Sequence, residues 1–138
     1  MIGREIESMK EKKIDTLPEA ELVVMQSVWE LEEPVGTGKI VEQVEHKKDW
    51  SRSTIQVFLG RLEERGFLRC ERKGRLKMYY AAIKQEEYRK RETKSFLENM
   101  YENSCKKLVA SLVQSKMMTK EDLEDIVKII GESEELNE

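Results

Sequence analysis

The stretch from Asp49 to Leu68 reads DWSRSTIQVFLGRLEERGFL, and it decides the fold. Ser51 is a favourable N-cap residue, and the apolar residues after it recur at helical spacing. These apolar residues share one side of the predicted helix: Ile55, Phe58, Leu59 and Leu62. The residue that follows a helix C-terminus is often glycine, and Gly66 follows the last residues of this pattern. We therefore expect the helix to end at Arg65.

The hydrophobic period changes from 3.6 to 2 directly after this helix. Residues 67–72 and 76–81 alternate as strands do, and the basic turn Lys73-Gly74-Arg75 joins them. This pattern predicts a β-hairpin with a positively charged tip.

Two further helices are predicted upstream. The first begins with capping-box spacing between Thr16 and Glu19 and ends at Pro34. Its broad apolar face comprises Leu22, Val24, Met25, Val28, Trp29 and Leu31. A short second helix follows Thr37 and turns Ile40, Val41 and Val44 inward. Three helices followed by a hairpin are the order of a winged helix-turn-helix, so we predict a mainly α fold with a small β-hairpin wing.

Downstream, a single helix of about thirty residues is predicted from Lys84. A last helix is capped by Thr119 with Asp122 and ends at Gly131. A small three-helix core cannot cover so long an apolar stripe, which predicts a homodimer. The residues expected to form the dimer contact are Phe96, Leu97, Met100, Tyr101, Leu108, Leu112, Ile126 and Ile130. The alternative is that the stripe folds back on its own domain.

These elements define four predicted segments. They are a charged leader at 1–16, a winged-helix domain at 17–83, a helical dimerisation domain at 84–132 and a frayed tail at 133–138.

Composition excludes several classes of protein. The chain has 138 residues and a net charge of −3, without a signal peptide or an apolar run that could insert in a membrane. Cys70, Cys105 and His46 are too few ligands for a four-ligand zinc site. No catalytic constellation is visible. We therefore expect a cytoplasmic protein that is not an enzyme and has no metal or other cofactor.

Charge is unevenly distributed along the chain. Residues 37–83 carry 11 basic and 6 acidic groups, whereas the segments 1–36 and 84–138 are both net acidic. A basic middle of this kind predicts a localised surface that faces phosphates. The alternative is a winged-helix protein-interaction module that does not bind DNA, in which acids of the chain itself would neutralise the basic surface.

The helix after Ser51 has the properties of a recognition helix. Since residues 55, 58, 59 and 62 face inward, residues 53, 56, 57 and 60 face outward. Such a helix enters the major groove N-terminus first. The predicted DNA contacts are Ser51, Arg52, Ser53, Thr54, Gln56 and Arg61 on the helix, and Arg72, Lys73, Arg75 and Lys77 on the wing. Arg61 borders the core face, so pairing with Glu63 or Glu64 is the alternative for that side chain.

Two glycine-containing features of this region need an explanation. Gly60 lowers helix propensity, for which close approach to a partner helix or to the DNA backbone would compensate. The run Gly36-Thr37-Gly38-Lys39 departs from a phosphate loop at positions 33 and 40, and we interpret it as the start of a helix.

Two sequence runs resemble one family. LPEAELVVMQSVWEL is similar to the first helix, and DWSRSTIQVFLGRLEERGFL to the recognition helix, of the penicillinase-repressor and methicillin-resistance-repressor family, which includes copper-responsive repressors. The resemblance covers about residues 17–130. It implies a winged-helix DNA-binding domain, a C-terminal helical dimerisation domain and repression at a pseudo-palindromic double-stranded operator.

The chain departs from that family at two places. The Cys-rich tail of the copper-responsive members is missing, because no Cys follows Cys105. In the β-lactam-responsive members a membrane-bound sensor controls a protease that cuts an Asn-Phe bond in the dimerisation helix. Ser111-Leu112 stands at the corresponding place here. We expect release from DNA by proteolysis or other disruption of this segment, with Ser111-Leu112 as the candidate bond and a sensor-protease as a candidate partner.

Overall fold

The computed structural model describes residues 16–137, with side chains described as far as Glu134. The predicted leader lies outside these residues except for Thr16. The elements are α1 (Glu19–Trp29), β1 (Val35–Gly36), α2 (Thr37–Glu45), α3 (Arg52–Glu64), β2 (Leu68–Lys73), β3 (Leu76–Ala81), α4 (Gln85–Tyr101), α5 (Cys105–Gln114) and α6 (Lys120–Asn137). The chain divides into two compact units, of which the first ends at Glu92 and the second begins at Thr93.

The first unit is a winged helix, as the order of three helices and a hairpin predicted. Its sheet has the order β1-β3-β2, and both pairings are antiparallel. β2 and β3 pair from Leu68 opposite Ala81 to Lys73 opposite Leu76. The strand β1 was not predicted. It consists of two residues and forms because Val35 pairs with Tyr79 and Gly36 with Met78.

Apolar residues from all three helices and the sheet form one core. The buried members are Leu17, Val24, Met25, Val28, Val35, Ile40, Val41, Val44, Ile55, Leu59, Leu62, Phe67, Leu68, Tyr79, Ala81 and Tyr88. Leu22, Trp29, Leu31, Trp50 and Phe58 are half-buried at its edge. Glu21 is also buried, and Arg65 Nε donates a hydrogen bond of 2.9 Å to its Oε1 atom. This ion pair connects α1 to the end of α3.

The first unit extends beyond the predicted boundary at residue 83. Tyr88 of α4 is buried against Phe67 and Trp29, with ring centroids 5.7 Å from each. Its hydroxyl oxygen accepts a hydrogen bond of 3.0 Å from the Leu17 N–H. The predicted Thr16 capping box is wrong, since the N-cap is Pro18 and no side chain caps α1.

The end of α3 follows the prediction. Gly66 has a φ of +81°. The Phe67 N–H donates a hydrogen bond of 2.9 Å to the carbonyl of Leu62, and the Gly66 N–H donates one of 3.0 Å to the carbonyl of Glu63. These two bonds form a Schellman motif, which satisfies the last carbonyls of the helix. The chain can then enter β2 without leaving those groups unpaired.

The second unit contains no single thirty-residue helix, so that prediction is wrong. Glu102 and Asn103 both have positive φ, +52° and +61°, and they separate α4 from α5. Ser104 begins the new helix, because its hydroxyl accepts a hydrogen bond of 3.2 Å from the Lys107 N–H. A second Schellman motif, with Lys116 at a φ of +58°, ends α5.

The start of α6 is as predicted, but its end is not. The Thr119 N–H donates a hydrogen bond of 2.9 Å to the Asp122 carboxylate, and the Asp122 N–H donates one of 3.1 Å to the Thr119 hydroxyl. The helix then continues through Gly131 to Asn137, so the prediction that it ends at Gly131 is wrong. From Thr93 to Glu134 no side chain is buried. Among residues 16–137, no helix combines the length and apolar character that crossing a bilayer requires.

Candidate nucleic-acid interface

The N-terminus of α3 carries a connected group of hydroxyls. Ser51 Oγ accepts a hydrogen bond of 3.2 Å from the Thr54 N–H, which confirms Ser51 as the N-cap. The same oxygen lies 2.9 Å from Thr54 Oγ1 and 3.1 Å from Ser53 Oγ. These small polar side chains are pre-ordered at a helix end whose N–H groups attract anions.

The core face of α3 determines which of its residues point outward. Ile55, Leu59 and Leu62 are fully buried, so the opposite face of the helix points to solvent. The residues exposed along it are Arg52, Ser53, Gln56, Val57, Gly60, Arg61, Glu63 and Glu64. This is the predicted orientation of the helix.

The tip of the wing is a two-residue turn, in which Gly74 takes a φ of +65°. The pairing register places Arg72 opposite Lys77 and Lys73 opposite Leu76. Opposed residues share a face of an antiparallel ribbon, so Arg72 and Lys77 lie on one face and Lys73 lies on the other. All four predicted wing cations, which include Arg75, are exposed.

A cleft of about 650 Å³ lies between α3, the start of α2 and the wing. Four of the predicted contact residues line it together: Arg52 and Gln56 from α3, and Arg75 and Lys77 from the wing. The remaining predicted contacts are outside its lining: Ser51, Ser53, Thr54, Arg61, Arg72 and Lys73.

The cleft is also lined by residues that were not predicted from the sequence. Thr37, Gly38 and Lys39 line it from the start of α2. The interpretation of this run as the start of a helix is confirmed, and its N-cap, Gly36, leaves the first turn without a side-chain cap. The signal that could have identified Lys39 is its position in the first turn of the helix before α3, where N–H groups and a cation both attract phosphate.

Acidic and neutral groups complete the cleft. Glu63 is the acid among its lining residues, and Tyr79 forms part of its buried floor. Burial raises the pKa of the Tyr79 phenol above its usual value of 10, so the group stays uncharged at neutral pH.

The basic residues around the cleft are not neutralised within the described part of the chain. No ion pair involves Lys39, Arg52, Arg72, Lys73, Arg75 or Lys77. Arg61 also pairs with neither Glu63 nor Glu64. Its guanidinium lies 5.8 Å from the centre of the Phe58 ring. The positive charge is therefore available to an external anion.

The residues predicted for the dimer contact lie in three different helices. Phe96, Met100 and Ile130 are exposed, and the other five, which are Leu97, Tyr101, Leu108, Leu112 and Ile126, are half-buried. The candidate cleavage bond, Ser111-Leu112, lies inside α5. Ser111 Oγ there accepts a hydrogen bond of 3.0 Å from the Tyr101 hydroxyl. Among residues 16–137, no three His, Cys, Asp or Glu side chains are grouped so that they could hold a metal ion.

Comparison with known proteins identifies similar chains. The family model described as Penicillinase repressor matches residues 17–132. The methicillin resistance regulatory protein MecI of Staphylococcus aureus strain N315 is 23% identical over 121 residues, which are 88% of this chain and 98% of that protein. The penicillinase repressor of Bacillus licheniformis is 27% identical over 121 residues, which are 88% and 94% of the two chains. A solution structure of the monomeric form of Bacillus licheniformis BlaI, in complex with the blaP half-operator, is 32% identical at a TM-score of 0.47, and covers 55% of this chain and 92% of that one.

Proposed function

Since this chain belongs to the penicillinase repressor family, we propose that it is a transcriptional repressor that binds a pseudo-palindromic double-stranded DNA operator as a homodimer. Its relatives are named as a penicillinase repressor and as a regulatory protein of methicillin resistance. In this proposal the protein acts in the cytoplasm, where it meets DNA directly.

The observation that carries the proposal is the shared cleft of α3 and the wing. Arg52 and Gln56 line it from the helix, and Arg75 and Lys77 line it from the hairpin. A duplex that receives α3 in its major groove would pass one sugar-phosphate strand along these cations. Lys39 and the uncapped N-terminus of α2 supply a further phosphate contact on the same side.

Positioning and sequence reading belong to different residues in this arrangement. Ser51, Arg52, Lys39 and the wing cations contact phosphates and fix the register of the protein on the duplex. Gln56 donates and accepts through one amide, which matches the N6 and N7 atoms of adenine. Ser53 and Thr54 are short enough to contact base edges near the start of the helix.

The unpaired cations favour DNA over a protein partner. An interaction module of the same fold would have its basic surface neutralised by its own acids. Arg69 pairs with Glu71 on β2, but the cleft and wing-tip cations have no such partner among the described residues. No observation specifically supports the protein-interaction alternative.

Dimerisation is proposed for the second unit. Large apolar side chains are exposed there, and none of its described side chains is buried. An apolar surface of this extent marks an interface in a stable protein. A second copy is the proposed occupant, because one operator with two half-sites requires two recognition helices and the second contact is then intramolecular.

Release from DNA is proposed to follow disruption of α5, by a sensor-controlled protease or by another agent. Ser111-Leu112 is the candidate bond. A cut there would separate Ile126 and Ile130 of α6 from the apolar residues of α4. The remaining dimer contact would then be too small to hold two half-sites together.

A gel shift with fragments of the genome that encodes the protein tests the proposal. If each subunit neutralises about four phosphates, the dimer should give a slope of log K against log[salt] near −7. The double variant Arg75→Ala/Lys77→Ala removes two contacts per subunit and should reduce the slope to about −3.5. Lys90→Ala is the control, because Lys90 is an exposed cation on α4, outside the cleft and paired with Glu86, and its loss should leave the slope unchanged. A wild-type slope between zero and about −2 would exclude DNA as the ligand.

A further inference from the structure

Two large apolar side chains are exposed in the described part of the first unit, Val57 at 53% and Leu76 at 67%. Leu76 lines the cleft from the wing, and Val57 belongs to the exposed face of α3. Both therefore lie on elements of the proposed DNA interface. The proposed phosphate and base contacts are all polar or charged and do not account for either side chain.

Val57 occupies the centre of the outward face of α3. The side chains of a helix advance by about 100° per residue, so Val57 lies opposite the midpoint between Ile55, Leu59 and Leu62. Three of its four neighbours one turn away are small: Ser53, Thr54 and Gly60, where a Cβ would meet no described atom within 4 Å apart from its chain neighbours and its own helix backbone. The fourth is Arg61, whose guanidinium lies 5.8 Å from the centre of the Phe58 ring. The isopropyl group of Val57 is thus the most protruding apolar group on this face.

Folding does not explain a valine at this position. An exposed β-branched residue lowers helix propensity relative to alanine, and at 53% exposure it contributes little to the core. Val57 is not a member of the buried core of the unit. A role in binding accounts for the side chain better than a role in stability.

The chemistry of the major groove supplies one apolar group, the C5-methyl of thymine. Valine can neither donate nor accept a hydrogen bond, so it cannot read the polar edges of guanine, cytosine or adenine. We propose that Val57 is a specificity-determining residue that contacts the C5-methyl group of one thymine in each half-site. This inference rests on the proposed function, and it adds that one base of each half-site, a thymine, is recognised by an apolar side chain.

Gln56 locates that thymine. Gln56 faces the cleft, about 100° around the helix from Val57 and one residue before it. Neighbouring helix positions reach neighbouring base steps, so the thymine should lie within about two base pairs of the adenine that Gln56 reads. The two residues together would then favour an A·T-rich element in the half-site.

The experiment uses the full-length dimer and removes the methyl group from the DNA. Duplexes are first selected from a random region of about 30 base pairs, which accommodates two half-sites. Each thymine of one half-site is then replaced singly by deoxyuridine, which differs only in the C5-methyl. For the wild-type protein, one replacement should weaken binding about fourfold, as expected for the loss of one buried methyl group.

Val57→Ala should remove this sensitivity. The penalty for the same deoxyuridine should fall below about twofold in the variant, because the partner of the methyl group is gone. Alanine raises helix propensity at an exposed position, so folding is not at risk. Leu76→Ala is the matched control, since it deletes a second exposed apolar side chain of this surface and should leave the deoxyuridine penalty intact.

The outcomes separate the inference from the proposed function. If selection enriches no duplex, the proposed function fails before any thymine is tested. If a duplex is enriched but no single deoxyuridine weakens binding, or if the penalty persists in Val57→Ala, the assignment of Val57 is wrong while DNA binding stands.

Discussion

At the scale of single residues, Gln56 and Lys73 illustrate two kinds of proposed contact. Gln56 lines the cleft from α3 and carries both a donor and an acceptor. Lys73 lies near the wing tip, opposite Leu76, and offers only a point charge. The first can distinguish bases, whereas the second can only attract phosphate.

Substitution of Gln56 should therefore change specificity. Gln56→Ala should cost about 1–3 kcal/mol on the preferred duplex and relax the base preference at one position per half-site. Lys73→Ala should weaken binding to all duplexes alike. Competition binding with single-base variants of the duplex measures both effects. Equal weakening of every duplex by Gln56→Ala would show that the proposed register of α3 is wrong.

The substitution Gly60→Ala should change folding stability and DNA binding in opposite directions. A Cβ at this position would meet no described atom within 4 Å apart from its chain neighbours and its own helix backbone, so packing within the fold does not require a glycine here. We propose that close approach of DNA, rather than of a partner helix, is the reason for it. Gly60→Ala should stabilise the fold by about 1 kcal/mol, because alanine has the higher helix propensity, and it should weaken DNA binding by crowding the groove. Urea unfolding and a binding titration measure the two effects.

The matched control is Gly131→Ala in α6, where a Cβ also meets open space. This variant should stabilise its helix and leave the affinity for DNA unchanged. An unchanged affinity for Gly60→Ala as well would mean that the duplex does not approach this part of α3.

At the scale of elements, α4 begins inside the first unit. Tyr88 buries its ring against Phe67 and accepts a hydrogen bond from Leu17. The hydrophobic pattern predicted a helix from Lys84 but gave no reason to assign its first two turns to the winged-helix core. Tyr88 thus attaches the first turns of α4 to the winged-helix core.

Two fragments test the role of Tyr88. A fragment of residues 1–92 should fold as a monomer and bind the operator weakly, since it lacks the proposed dimer contact. A fragment of residues 1–83 should be less stable by about 3–5 kcal/mol, because it loses a buried aromatic side chain. Urea unfolding compares the two, and light scattering reports their mass. Equal stability of the fragments would show that the core is complete without α4. A stable dimer of residues 1–92 would show that the dimer interface lies in the first unit and not in the second.

Elements whose signal is local were predictable from sequence. The core face and the ends of α3, and the strand β3, follow from the spacing of apolar residues and from Ser51 and Gly66. The strand β1 was not predictable, because Val35 is extended only by its pairing with Tyr79. The break after α4 was missed because the apolar period continues across it. Asn103, a usual residue for a positive φ after a helix, and Ser104, a usual N-cap, are the signals that could have marked it.

In the candidate site, too, only the residues that local periodicity places could be predicted from the sequence. The outward face of α3 depends on helical periodicity alone, so Arg52 and Gln56 could be identified. The contribution of Lys39 requires the start of α2 to lie beside the wing, which is a tertiary fact. Sequence also could not separate Lys77, which lines the cleft, from Lys73, which does not, because the cleft is bordered by β3 and not by β2, which is a tertiary fact.

At the scale of the whole molecule, DNA occupancy is proposed to depend on an intact second unit. Cutting an inserted protease site at Ser111-Leu112 should weaken the dimer by several kcal/mol, since each fully buried Leu or Ile contributes about 1.5–3 kcal/mol. Operator occupancy should fall accordingly. The same protease site appended after Glu138 serves as the control and should be cut without loss of binding. Unchanged occupancy after complete cutting at Ser111-Leu112 would mean that α5 is not the switch.

The hydrogen bond between Leu17 and Tyr88 has a topological consequence for the first unit. It joins Leu17 to the last helix of the unit, so the described residues of the unit, 16–92, begin and end close to this one contact. A domain whose ends meet in this way can be closed by a short linker and reopened elsewhere as a circular permutant. The exposed turn at Gly74 is a natural new opening, because it is the tip of a hairpin whose strands stay paired. Such a permutant would have free ends at the wing, and it would show whether a continuous wing tip is required to hold DNA or only to fold.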